Sequence, residues 1–267
     1  METYRLKNIA ILILLLLNLC LALLLGYQYL QFRWNQRETV KQLESLCLGS
    51  QLSLGEDVEP LQEALPPVSL VRREETEAAI AATVLGEPAA VSSQGGGICT
   101  YTAAAGSLQF RAGGSFDGSQ LSLPVADMDA FVEGFCQDFG YGDVSSQVSG
   151  GTGDITLTQY VSDVPVLDCG LTLHFDRGVL TGVTGAYASL ENALMEPDEP
   201  LTCATALLRF LDYRNSAGVI CSEVRSIRCV YQLQNVSSTL RLLPVWLVET
   251  DTYSFLVDCG TGLVSRR

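Results

Sequence analysis

The chain has 267 residues, of which 48% are hydrophobic and 17% charged, and its formal net charge at pH 7 is -14. This length suffices for one large or two small domains after an N-terminal segment, because domains commonly span about 100–150 residues. The acidic excess argues against nucleic acid and anionic lipid surfaces as partners, since like charges repel and no basic stripe remains to neutralise phosphates.

An apolar run near the N-terminus predicts a transmembrane helix at residues 9–30, preceded by a cytoplasmic tail at residues 1–8. Asn18 is the strongly polar residue between Ile9 and Leu25, and a helix of this length, at ~1.5 Å per residue, matches a hydrocarbon core of ~30 Å. A cleaved signal peptide is the alternative, although the apolar run is long and no A-x-A cleavage site follows it. Aromatic residues of the kind that settle at headgroup level follow the run: Tyr27, Tyr29, Phe32 and Trp34.

One face of this predicted helix carries small and polar residues. Asn18, Ala22 and Gly26 recur every four residues and therefore share one side of the helix. In a membrane such residues let helix backbones approach, and a buried amide gains ~0.5–2 kcal/mol by bonding to another helix. These three residues are the predicted contact with a partner helix. The alternative is that a long apolar span simply tolerates one asparagine.

The remainder of the chain alternates between helical and strand patterns. Residues 31–67 form a predicted juxtamembrane stalk and linker, residues 68–195 a first α+β unit and residues 196–267 a second. Helices are predicted at residues 74–85, 125–139 and 202–213, near glycine and proline punctuation. Short alternating runs between turn residues predict strands, among them 98–103, 107–111 and 119–123. The predicted fold class is therefore α+β: antiparallel sheets with packed helices behind an N-terminal transmembrane helix.

A short motif recurs between the two predicted units. Asp168-Cys169-Gly170 reappears as Asp258-Cys259-Gly260, each time after an apolar stretch. The recurrence indicates two similar halves or a coincidence of three residues, and the sequence leaves both readings open.

The nine cysteines give no clear framework of disulfides or zinc ligands. Their number is odd, and no two form a C-x-x-C pair of the kind that binds zinc. We expect most of them to be small buried hydrophobic residues. The sequence leaves open whether one or two disulfides form if the domain faces an oxidising compartment. The cysteines are Cys20, Cys47, Cys99, Cys136, Cys169, Cys203, Cys221, Cys229 and Cys259.

The sequence offers no recognisable catalytic set. Its single histidine, His174, shares one side of a strand-like run with Thr172, which favours a surface or half-buried position over a general base. The glycine runs at 95–97 and 150–153 lack the GKS or GKT ending of a P-loop. The acidic cluster at 196–199 lacks the spacing of a calcium loop. We expect no enzymatic activity, no cofactor and no metal.

The C-terminal hundred residues resemble the YycI/YycH regulatory proteins. Residues 164–166 (VPV), 171–180 (LTLHFDRGVL) and 183–185 (VTG) are similar to a hairpin pattern of that family. Residues 224–231 (VRSIRCVY) resemble its I-x-x-I-x-x-G-Y segment, with Val230 in place of the usual glycine. Residues 243–250 (LPVWLVET) and 253–262 (YSFLVDCGTG) look like its closing hairpin, a shape also seen in PepSY modules.

This resemblance implies a single-pass protein of the cell membrane with a short tail inside and an extracytoplasmic α+β domain. It further implies that the protein regulates a two-component sensor histidine kinase in cell-envelope homeostasis, through contacts with the kinase, a YycH-like protein or both. The charges flanking the apolar run do not decide the orientation, which follows from the resemblance alone.

A binding module of PepSY type is the rival interpretation. Such a module would hold or inhibit a secreted protease, or hold an envelope ligand, without contacting a kinase. Trp246, Tyr253 and Phe255 of the closing hairpin would then form the ligand surface; otherwise they are packing residues.

Overall fold

The structure is a computed structural model that describes residues 14–20, 40–188, 194–195, 200–236 and 239–267. Helices cover residues 14–20, residues 40–49 (α1), Glu74–Leu85 (α2), Met128–Phe139 (α3) and Cys203–Ala217 (α4). The strands are β1 (Ser53–Asp57), β2 (Val68–Leu70), β3 (Ala90–Gly95), β4 (Ile98–Ala103), β5 (Gly106–Phe110), β6 (Ser115–Pro124), β7 (Tyr141–Ser149), β8 (Thr152–Val161), β9 (Val164–Asp176), β10 (Val179–Ala186), β11 (Leu194–Met195), β12 (Glu223–Val236), β13 (Thr239–Thr250), β14 (Ser254–Asp258) and β15 (Val264–Arg266).

The predicted fold class requires a correction at the N-terminus. None of the helices in the described parts of the chain is long and apolar enough to cross a membrane. Residues 14–20 of the predicted span are helical. The rest of the predicted span lies outside the described residues. The transmembrane helix is therefore not supported, and the observed fold is a large mixed sheet with packed helices.

Most of the chain consists of three units in which the secondary-structure elements follow one another in the same order. Each of α2, α3 and α4 is followed by a meander of four strands: β3–β6 in the first unit, β7–β10 in the second and β12–β15 in the third. The predicted unit 68–195 contains two of these units. The predicted division between residues 195 and 196 itself stays a prediction.

Helix ends follow from local capping. The Asp127 side chain accepts a hydrogen bond from the Ala130 N–H, so α3 begins at Met128 rather than at residue 125. Thr202 caps α4 in the same way, through the Thr205 N–H. Gly86, Gly140 and Gly218 adopt left-handed conformations that end the three helices, a backbone region where glycine meets no Cβ penalty.

The first two units join through their last strands. β6 pairs antiparallel with β10 from Ser115↔Ala186 to Pro124↔Val179, which gives the order β3-β4-β5-β6-β10-β9-β8-β7. Both helices contribute to one core on one face of this eight-stranded sheet, where Ile80 of α2 and Phe135 of α3 are buried in the same cluster as Leu108 and Leu171. Because the two units pair through their fourth strands, β6 and β10, their first strands, β3 and β7, lie at the outer edges of this sheet.

The opposite face of this sheet carries a polar row that crosses all eight strands. Directly paired neighbours run from Ser92 on β3 to Ser145 on β7, in the order Ser92, Thr100, Gln109, Asp117, Thr184, Thr172, Thr156 and Ser145. The two end positions occupy the same place in a repeated sequence, Val-Ser-Ser-Gln, at residues 91–94 and 144–147. The outer strands of the two units are therefore equivalent in sequence and in register.

The Asp-Cys-Gly motif also falls at matching places. Asp168 is the fifth residue of β9 and Asp258 the fifth of β14, and these are the third strands of the second and third units. Asp168 has φ of 59° within its strand. Asp258 ends its strand, where its Oδ1 accepts hydrogen bonds from the N–H groups of Gly260 and Thr261.

The third unit forms a separate core. Phe210 of α4 packs on Phe255 of β14 with ring centroids 5.1 Å apart, and Leu43 of α1 is buried in the same cluster. β12 connects this unit to the second one by parallel pairing with β9 at Tyr231↔Val166 and Gln232↔Leu167.

Replacing Gly134 with alanine is expected to raise the free energy of unfolding by about 0.5–1 kcal/mol. Gly134 lies inside α3 with nothing within 4 Å of the position that its Cβ would take. Alanine therefore lowers the conformational entropy of the unfolded chain without causing a clash in the folded protein. Denaturant unfolding followed by circular dichroism measures the change.

Gly153 on β8 is the matched control. A Cβ there would clash with the Gln147 carbonyl oxygen, and φ is +141°, so Gly153→Ala is expected to lower stability. A loss at Gly134, or a gain at Gly153, would contradict the described packing of α3 or of the β7–β8 hairpin.

Candidate functional site

The predicted hairpin residues divide between core and surface. Trp246 and Phe255 are both fully buried, and Trp246 Nε1 donates a hydrogen bond to the Leu201 carbonyl oxygen at 2.8 Å. Tyr253 is 45% exposed, and the Arg266 guanidinium lies 3.3 Å above the centre of its ring. Trp246 and Phe255 therefore hold α4 on its sheet, and Tyr253 is the member of the trio that solvent reaches.

The predicted helix-contact face is described at one position. Asn18 lies in the helical segment 14–20 and is exposed. Ala22 and Gly26 lie outside the described residues. The predicted contact of these three residues with a partner helix therefore stays a prediction.

The single histidine lies on the polar face of the eight-stranded sheet. His174 Nδ1 is 2.7 Å from an Asp154 carboxylate oxygen, and both side chains are about half exposed. Thr172 lies on the same face two residues earlier. This pair is an exposed cross-strand contact.

All nine cysteines carry free thiols, and most are buried. Burial raises the pKa of the Cys169 and Cys203 thiols to about 12, which suppresses their reactive thiolate form. The Cys229 and Cys259 thiols share a hydrogen bond that lowers the pKa of Cys229 and, together with burial, raises the pKa of Cys259. Cys136 is partly exposed on α3, and burial raises its pKa as well.

A groove between α3 and β7 is the candidate site. Its volume is about 280 Å³, and it is lined by Val132, Cys136, Val144, Ile155, Gly142 and Ser146, with Asp129 and Glu133 at its α3 side. Val144 is 54% exposed, although it lies beside the buried Val132 and Ile155. This groove, called the α3–β7 groove below, therefore presents apolar surface next to two carboxylates.

The edge of β7 continues this groove. Among the described residues β7 pairs with β8 alone, so the N–H and C=O groups along its outer side face no neighbouring strand. A register shift between Gly142 and Ser145, with Asp143 at φ of 45°, bends the start of the strand. From Ser145 to Ser149 the strand has no charged residue and no proline, the devices by which edge strands usually resist pairing.

Two carboxylates give the groove its charge. Asp129 and Glu133 are both exposed and stand four residues apart on α3, so they share one side of the helix. Glu133 Oε1 accepts a hydrogen bond from the Gln137 amide at 3.3 Å. The lining contains no lysine or arginine. An occupant of the groove therefore meets negative charge that the groove itself does not neutralise.

Two further cavities in the described body are less suited to binding. One, of about 340 Å³, borders the buried Gln159, whose side chain already donates to the Ala188 carbonyl oxygen and accepts from the Ala188 N–H. The other, of about 40 Å³, adjoins the Arg72–Glu77 ion pair and holds little more than a water molecule.

Sequence reasoning did not find the α3–β7 groove. It predicted a helix at residues 125–139, but it could not place the strand that follows this helix at the edge of a sheet. The repeated Val-Ser-Ser-Gln was the available signal, because equal sequences in two strands indicate equal positions in two units.

Truncating Trp246 to alanine is expected to cost about 3–5 kcal/mol of unfolding free energy, because a large buried side chain leaves a cavity. Tyr253→Ala is the control on the same hairpin and is expected to cost less than about 1 kcal/mol, since an exposed cation–π contact is weak. Thermal and urea unfolding of both variants measure the difference. Equal losses for the two variants would contradict the division of this hairpin into core and surface.

Comparison with known proteins adds no functional assignment. No protein-family model matches the chain. No curated protein matches it either. A solved structure of an uncharacterized protein from Eubacterium rectale ATCC 33656 is similar over 81% of this chain and 91% of its own, with 12% sequence identity and a TM-score of 0.41.

Proposed function

We propose that this protein is a regulator that acts by protein–protein contact, binding an extended segment of a partner protein at the edge of β7. The partner that we propose is a sensor histidine kinase of a two-component system, alone or with a YycH-like protein. The edge of β7 that no described strand covers, uncharged from Ser145 to Ser149 and beside an apolar groove, is the observation that carries this proposal.

Strand addition fits this edge for a physical reason. An extended segment that pairs with an exposed strand gains main-chain hydrogen bonds, and adjacent pockets that receive alternate side chains supply selectivity. Each such bond contributes about 0.5–1.5 kcal/mol net. The five residues from Ser145 to Ser149 therefore give enough pairing for a regulatory contact.

Regulation follows when the partner has two conformational states. A protein that binds one state better than the other shifts the equilibrium by its difference in affinity, typically about 1–3 kcal/mol. The similarity of residues 164–185 and 243–262 to YycI/YycH proteins supports a kinase as that partner.

The rival function is a PepSY-type module that holds a secreted protease or an envelope ligand. In that interpretation the closing hairpin supplies the ligand surface. The burial of Trp246 and Phe255 favours a packing role for the hairpin, and so supports the regulator over this rival.

Val144→Lys is expected to reduce recovery of the kinase with the tagged full-length protein at least about tenfold, because a charge at an open edge blocks strand pairing. Val144 is 54% exposed, so its replacement should leave the melting temperature nearly unchanged. The measurement is quantitative mass spectrometry of proteins that co-purify from the native cell.

Val91→Lys is the matched control, because Val91 holds the equivalent place on β3 and is 62% exposed. It should keep the partner. Recovery of a secreted protease without any histidine kinase would support the rival function. Equal recovery of the kinase by both variants would remove β7 from the proposal.

A further inference from the structure

We infer that the α3–β7 groove selects an extended peptide segment in which an aliphatic residue is followed, on the same side of the strand, by lysine or arginine. This inference rests on the proposed function and names the chemistry of the segment that the site accepts. Three properties of the groove carry it: its position beside an open strand, its size and its charge.

Position determines which side chains of the segment enter. Val144, Ser146 and Val148 alternate with Ser145 and Gln147 along β7, and Ser146 pairs with Ile155 of the core. The first set therefore faces α3, and the second faces the polar side of the sheet. A strand added beside β7 places every second side chain under α3, about 7 Å apart along the strand.

Size limits what the groove can hold. Its volume of about 280 Å³ lies below the ~300–1,000 Å³ that is usual for small-molecule sites. One or two side chains fill such a space. Its apolar lining of Val132, Val144 and Ile155 favours an aliphatic residue, because burial of the exposed Val144 surface is favourable.

The negative charge of the groove determines which side chain should follow the aliphatic residue of the bound segment. Asp129 and Glu133 border the groove on its α3 side, and no basic residue lines it. A cationic side chain on the same side of the added strand gains attraction from both carboxylates, which raises the association rate and disfavours acidic segments. The groove therefore discriminates by charge as well as by shape.

Cys136 supplies a direct report of occupancy. It lines the groove and is partly exposed, so an occupant should slow its reaction with a maleimide. The other exposed thiol in the described residues is Cys20, and peptide mapping by mass spectrometry separates the two. Labelling is done above pH 8, because burial raises the pKa of the Cys136 thiol.

The test uses the full chain and three synthetic ten-residue peptides as probes. The first alternates leucine and lysine on one side of an extended strand, the second replaces lysine with glutamate, and the third replaces leucine with serine. Fluorescence anisotropy gives each dissociation constant at low and at physiological salt, and Cys136 protection reports where the peptide binds.

The leucine–lysine peptide should bind most tightly, protect Cys136 and weaken with salt. The double substitution Asp129→Asn with Glu133→Gln should weaken it about threefold to tenfold, the effect of two exposed ion pairs. Asp138→Asn is the control, an exposed carboxylate on the same helix outside the groove lining, and should change affinity less than about twofold.

Other outcomes separate the two proposals. If the leucine–glutamate peptide binds and protects Cys136 as well as the leucine–lysine peptide does, the charge selection is overturned while docking at β7 stands. If the serine–lysine peptide matches the leucine–lysine peptide, the apolar selection is overturned. If no peptide binds or protects Cys136, both this inference and the proposed docking at β7 are overturned.

Discussion

The antiparallel pairing of β6 with β10 is the constraint on which the rest of the eight-stranded sheet depends. It joins the last strand of one unit to the last strand of the next, so that α2 and α3 share one core instead of capping two small sheets. A single core of this size buries far more apolar surface per residue than two separate meanders would. The same pairing sends the first strands, β3 and β7, to the two outer edges.

The two outer edges are equivalent in register but differ in surroundings. Both carry Val-Ser-Ser-Gln with the valine exposed on the side where the helices pack. α3 lies close enough to β7 to form a groove with it, whereas α2 contacts β4, β5 and β6. The α3–β7 groove thus borders the β7 edge, which is why Val91 on β3 serves as a control for Val144.

Local sequence predicted local structure well and long-range pairing poorly. The α2 bounds followed from its composition and from Gly86 and Pro88, and the alternating runs gave most strands of the first meander. Capping by Asp127, which shortens α3, depends on one side-chain hydrogen bond that a periodicity does not reveal. The predicted transmembrane helix is not supported, and the groove escaped prediction because it exists only once β7 is placed at an edge.

Hydrogen–deuterium exchange of the full chain, alone and with the partner that co-purifies with it, tests the central claim that β7 receives a partner strand. In the free protein, β7 amides that do not pair with β8 should exchange quickly, because no described strand covers them. With the partner bound, exchange at residues 145–149 should slow while exchange in β3 stays unchanged. Unchanged exchange in β7, with protection elsewhere on the chain, would contradict the account.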